Sequence, residues 1–193
     1  MSQIKALVDQ FLRQMSDHET AMMTPADVPP EMLDASIAPS DDWKGWKPAP
    51  SVVDDNDLNH LEKGIGYSLP LSYREFLKHK HFYELLLDDG AVHFPAHVPD
   101  KSLKLLRAQV FDYMDPELII GRGYIYFADL SDSGALCFDA NNYNEAGECP
   151  IVYPDHEALD RVHGYANNFT QLLTGDKKTA RRFYKRLNEE RDW

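Results

Sequence analysis

Residues 134–157, GALCFDANNYNEAGECPIVYPDHE, bring together the side chains that metal and catalytic sites use: Cys137, Cys149, Asp139, Asp155, Glu145, Glu148, Glu157 and His156. Zinc sites place their ligands in short pairs such as C-x-x-C or H-x-x-x-H. Here the cysteines are twelve positions apart and neither has a paired neighbour. Cys137 instead alternates with Phe138 in a strand-like run, and a free cysteine is among the most often buried residues. No metal is expected. A thiolate enzyme would pair Cys149 with His156, and Ser133 sits beside Asp132. A nucleophile also needs a base within reach and a third group to orient that base. The chain has neither a G-x-S-x-G elbow nor a recognisable cysteine-enzyme signature. A small hydrolase or metal enzyme using Cys137, Cys149 and His156 therefore stays only an alternative, and no catalytic residue and no cofactor are assigned. The GRG at 121–123 lacks the further glycine and the Lys-Ser/Thr of nucleotide loops, so it reads as a turn. His93 and His97 are four apart, but Pro95 between them argues against a ligating helix, and His79 and His81 would leave a helix on different faces.

Charge is the remaining signal. From Gly123 to Asp160 there is no Lys or Arg, while Asp129, Asp132, Asp139, Glu145, Glu148, Asp155, Glu157 and Asp160 are all acidic. Bases gather at the other end, at Lys177, Lys178, Arg181, Arg182, Lys185 and Arg186. Thirty-two acids against twenty bases give a net charge of −12. Such a charge repels nucleic acid and anionic membranes and attracts basic proteins. A well-mixed surface would intersperse the two signs. The candidate partner-binding face is therefore acidic: Asp129, Asp132, Asp139, Glu145, Glu148, Asp155 and Glu157. The alternative is a solvated face that serves solubility alone.

Those residues need a frame. Ile4, Leu7, Val8, Phe11, Leu12 and Met15 form one stripe, which predicts an amphipathic helix within residues 1–15 with Ser2 as N-cap. Its apolar face must be buried, on the domain or in a dimer, because fourteen residues make a marginal helix alone. Residues 16–50 hold six of the twelve prolines and read as an extended strap, with Trp43 and Trp46 as anchors. The domain proper is expected over 51–193. Helices are predicted at 55–64, capped by Gly66, and from Pro70 through HKHFYELLL to Asp89-Gly90. A short strand at 91–94 and a helix at 101–114 follow. ELIIG, GYIYFADL, GALCFDA and CPIVYP read as strands, with a hairpin turn at Asp132-Ser133-Gly134. Ala158, Val162, Tyr165, Phe169 and Leu172 predict a helix ending at Gly175, before a final basic helix at 176–190. Helices, then hairpins, then helices indicate an α+β fold with a mainly antiparallel sheet. No run reaches the length of a membrane span and the start does not resemble a secretory signal, so the expected location is the cytoplasm.

Taken together, LEKGIGYSLPLSYREFL, LIIGRGYIYFADLSDSGALCFDA, CPIVYPDHE and YANNFTQLL resemble the SUKH superfamily of Smi/Knr-type proteins. The resemblance covers about residues 43–175 and rests on Leu61, Glu62, Leu69, Pro70, Tyr73, Phe76, Gly134, Phe138, Asp139 and Phe169. Where many members have Asn-Gly after the Phe-Leu helix, this chain has HKHF, and its N-terminal helix and strap lie outside the likeness. The resemblance implies a compact α+β domain that acts by binding. Many bacterial members neutralise a cognate toxin, often a nucleic-acid-modifying enzyme with a basic groove. Fungal members act as regulators or scaffolds in cell-wall synthesis. The implied partner is a basic toxin domain, not nucleic acid or membrane; a cell-wall regulator is the alternative. The oligomeric state stays open.

Overall fold

A computed structural model describes residues 2–88, 90–100, 103–112, 115–131, 134–155 and 161–175. Helix α1 (Gln3–Ser16) begins at Ser2, whose hydroxyl accepts from the Lys5 N–H, and it buries Ile4, Val8 and Leu12. That stripe packs within the same chain, against α3 (Leu71–Leu77) and α5 (Phe169–Thr174). The strap follows as a 3₁₀ turn (Glu19–Met22) and the two-residue strands β1 (Met23–Thr24) and β2 (Lys44–Gly45), which pair antiparallel. Gly45 is required where the strap doubles back: an added Cβ would lie 2.5 Å from Ile37 Cβ and 2.8 Å from the Asp34 carbonyl. Trp46 is fully buried, as an anchor should be, but Trp43 is 46% exposed.

Strand β3 (Ala49–Pro50) leads into the domain and pairs with β4 (Lys80–His81). Helix α2 (Asp55–Ile65) carries a reciprocal cap between Asp54 and Asp57 and ends on Gly66 in the left-handed region. Pro70 is the residue just before α3, not inside its first turn. After α3 the expected helix stops: Leu77 is its last residue, and β4 and β5 (Leu85–Leu87) take its place. Leu85 and Leu87 are buried while Leu86 is exposed, a period-two pattern that three consecutive leucines do not reveal.

Strands β5, β6 (Val92–Phe94), β7 (Tyr124–Leu130), β8 (Gly134–Asp139), β9 (Ile151–Pro154) and β10 (Val162–Ala166) form one antiparallel meander in sequence order. Helix α4 (Lys104–Asp112) lies between β6 and β7 and packs on β7. The Tyr165 hydroxyl, on the last strand, donates to Asp88 just beyond the first. Six flat strands would span about 24 Å at the usual spacing, so this bond shows that the sheet curls. Two expectations fail here. ELIIG is not a strand: Leu118 and Ile119 turn back onto the Asp115 carbonyl and lead into a 3₁₀ turn at Ile120–Arg122. Residues 162–166 form β10 instead of a helix, since Gly164 weakens a helix there and the free edge of β9 offers a ladder. The predicted basic helix at 176–190 lies outside the described residues.

The core is an aromatic cluster that ties helices to sheet. Phe127 and Phe138 stack at 4.1 Å, Tyr73 of α3 lies 4.9 Å from Phe138, and Phe169 of α5 meets Tyr73 and Phe76 at 5.2 Å. Such ring pairs add about 0.5–1.5 kcal/mol each beyond the area they bury.

Candidate partner-binding surface

The cysteines are not poised for chemistry. Both are buried and reduced. Burial holds the Cys137 thiol protonated, and burial together with the Asp139 and Glu148 charges pushes Cys149 up to about 12. A thiol is a nucleophile only as its thiolate, so neither is reactive near neutrality. His156 lies outside the described residues. Among the described residues no three His, Cys, Asp or Glu side chains form a group that could hold a metal ion.

The acids divide between two ends of the sheet. At one end Asp139 is 2% exposed, and its carboxylate accepts from the Asn141 N–H, Asn141 Nδ2 and Asn142 Nδ2. That clamp holds the β7–β8 ladder shut, with Ala140 donating to the Gly123 carbonyl. Glu148 reaches the start of α3, accepting from the Ser72 N–H at 2.8 Å and the Ser72 hydroxyl at 2.6 Å. It is the helix cap that Pro70 does not supply. Of the predicted residues described at this end, only Glu145 stands exposed.

Asp129 and Asp155 lie at the other end. Asp129 is five residues from the Tyr124–Asp139 pair, about 16 Å along the strand. It accepts from the Tyr126 hydroxyl and sits in register with His93. Asp155 is 3.7 Å from His163, whose ring stacks on Tyr153. Both carboxylates are half-buried. Asp132 and Glu157 lie outside the described residues. Of the seven predicted residues, then, Asp139 and Glu148 serve the frame. Buried Asp139 presents no carboxylate to a partner, and Glu145 lies at the opposite end of the sheet from Asp129 and Asp155.

An open cleft of about 600 Å³ lies between α1, α2 and α3, lined by Lys5, Asp55, Glu62, Arg74 and Lys78 among others. Its principal cations are already engaged. Arg74 is 2.6 Å from Glu62 and 3.0 Å from Asp55, and Lys78 is 2.7 Å from Asp55.

The histidines join the N-terminal segment to the domain. His79 lies 2.8 Å from Asp9 of α1. His81 accepts the Val52 N–H on Nε2, which fixes its proton on Nδ1, facing the His97 carbonyl. His97 donates from Nε2 to the Leu77 carbonyl, and its ring lies 4.7 Å from that of His81. Burial lowers both pKa values, His97 to about 4, with the neighbouring His81 adding to its shift. HKHF, where the chain departs from the expected Asn-Gly, is thus where the extension docks. Sequence reading missed this role, because these histidines contact backbone and a residue some seventy positions away.

The residues that carry the resemblance prove architectural. Glu62 accepts from the Leu69 N–H at 2.7 Å and pairs with Arg74, locking α2 to α3. Leu61, Tyr73, Phe76, Phe138 and Phe169 are core, and Gly134 takes a positive φ of 82°. Helices packed on a curled antiparallel meander define an α+β domain whose characteristic residues build the frame. The model of the SMI1 / KNR4 family (SUKH-1) matches residues 52–175, and the chain belongs to that family. No curated protein matches it. The α1 helix and the strap precede the matched region. Among the described residues no helix is long and apolar enough to cross a membrane.

Proposed function

We propose that the chain is a cytoplasmic immunity protein that binds a basic, nucleic-acid-targeting toxin domain and blocks it without catalysis. One observation carries this reading: the chain bears a charge of −12 with its acids and bases segregated, on a fold of a binding family. An enzyme that acts on nucleic acid needs a cationic groove for phosphates, and an acidic protein can steer into that groove and fill it. Exposed Glu145, with Asp129 and Asp155 at the opposite end of the sheet, supplies the field on the domain side. Asp132 and Glu157, outside the described residues, are proposed to add to that field. Buried thiols of raised pKa support action by binding.

The experiment is co-expression with a basic toxin domain drawn from the genes flanking its own; flanking genes that encode none count against the reading. Restored growth, together with a complex that co-purifies at equal stoichiometry, supports the reading. Growth arrest despite abundant folded protein overturns it, and recovery of only cell-wall enzymes from the host would put the regulator reading first.

A further inference from the structure

A second base-free tract runs from Gln14 to Trp43 and carries Asp17, Glu19, Asp27, Glu31, Asp34, Asp41 and Asp42. Its charges are far more available than those of the sheet. Asp17, Asp27, Glu31, Asp41 and Asp42 are exposed. Within the tract, the ion pairs of the described residues engage only Asp27, through Lys44 at 2.9 Å, while Asp34 accepts from Ser36. Glu31, Asp41 and Asp42 stand in no ion pair among the described residues.

An aromatic side chain stands beside them. Ser40 and Trp43 exchange both backbone hydrogen bonds, at 3.2 and 2.8 Å, closing a tight turn with Asp41 at φ 50°. The turn is held by the β1–β2 pairing next to it and by Trp46, which is buried three residues beyond Trp43. Trp43 is 46% exposed at the mouth of this turn, and Leu33 on the same strap is 43% exposed. A tryptophan on a fixed turn loses little entropy on docking, and it is the residue type most often found as an interface anchor.

We infer that the strap around Trp43 is the principal docking surface for the basic partner, with Trp43 entering an apolar pocket that Lys and Arg rim on the partner. This rests on the immunity reading above and adds where the contact is made. The acids beside the ring select the partner's chemistry, because a nucleic acid or an anionic membrane would be repelled and a cationic rim attracted. The strap also precedes the region the family shares, so a contact there can be particular to this chain while the common frame is kept.

The test uses the full chain and the basic toxin domain of the co-expression experiment, purified in a catalytically inactivated form, with binding followed by biolayer interferometry. Trp43→Ala should speed dissociation about thirtyfold, as expected of an anchor, with Trp43→Phe recovering part of the loss and both variants keeping the wild-type urea midpoint. Asp41→Lys with Asp42→Lys should slow association about tenfold at low salt, with the difference shrinking above about 0.15 M. If wild type binds and Trp43→Ala dissociates within twofold of it, the anchor is refuted while the immunity reading stands. If Glu145→Lys weakens binding and the double reversal on the strap does not, docking is on the sheet and the inference is overturned. If wild type does not bind at all, the immunity reading fails and the inference with it.

Discussion

His97 offers a stability change that can be worked out and then measured. Its ring is 7% exposed, donates to the Leu77 carbonyl and lies against His81. Its pKa falls from 6.5 to about 4 because burial, and then the neighbouring ring, disfavour the charged form. The sign follows directly. Below pH 6.5 the unfolded chain takes up a proton that the folded chain refuses, so stability is lost as pH falls from 6.5 towards 4 and is intact above that window. Integrating that difference, the fold loses about 2 kcal/mol through this one group between pH 7 and pH 5. The assay is urea unfolding at both pH values for wild type and His97→Gln, whose amide can still donate to Leu77 but cannot titrate. The variant should be less stable at pH 7, and the gap should close by about 2 kcal/mol at pH 5. His81 loses its ring neighbour in this variant, so His81→Gln and the double variant complete the cycle that separates the two histidines. A gap equal at the two pH values would show that His97 titrates normally and refute the reasoning.

Three further outcomes follow from single contacts. Glu148→Ala removes both acceptors at the start of α3 and should cost about 3 kcal/mol in urea unfolding, with Glu148→Gln costing less. Gly123→Ala places a Cβ about 2.5 Å from Asn141 at a φ of 82°, so it should lower thermal stability strongly, and Asn141→Ala should restore only part because the backbone strain remains. Phe169→Ala empties the centre of the ring cluster and should cost about 4 kcal/mol, or leave the chain unfolded, by circular dichroism and urea titration.

Much of the frame was legible because it is local. The α1 stripe, Ser2 as N-cap, Gly66 as C-cap and strands β7, β8 and β9 each follow from period, cap or turn chemistry. The failures occur where tertiary pairing decides. Leu85–Leu87 fits a helix face as well as a strand, and β10 exists because β9 leaves an edge beside a segment that Gly164 weakens as a helix. Of the strap's two tryptophans, sequence could not say which one would be buried. The candidate face was less legible than the fold. Asp139 and Glu148 look like surface charges in a loop-rich stretch, yet one is buried by Asn141 and Asn142 and the other caps a helix 76 positions earlier in the chain. Composition shows that acids are segregated, and only the fold shows which of them are already engaged.

The most direct test of the central claim is a titration of the proposed toxin domain's activity on nucleic acid with increasing amounts of this protein. Inhibition by occupancy predicts that activity falls linearly and ends at one equivalent, with the block weakening in high salt. Full toxin activity at several equivalents would contradict it. So would complete inactivation by a small fraction of an equivalent, since that would require turnover.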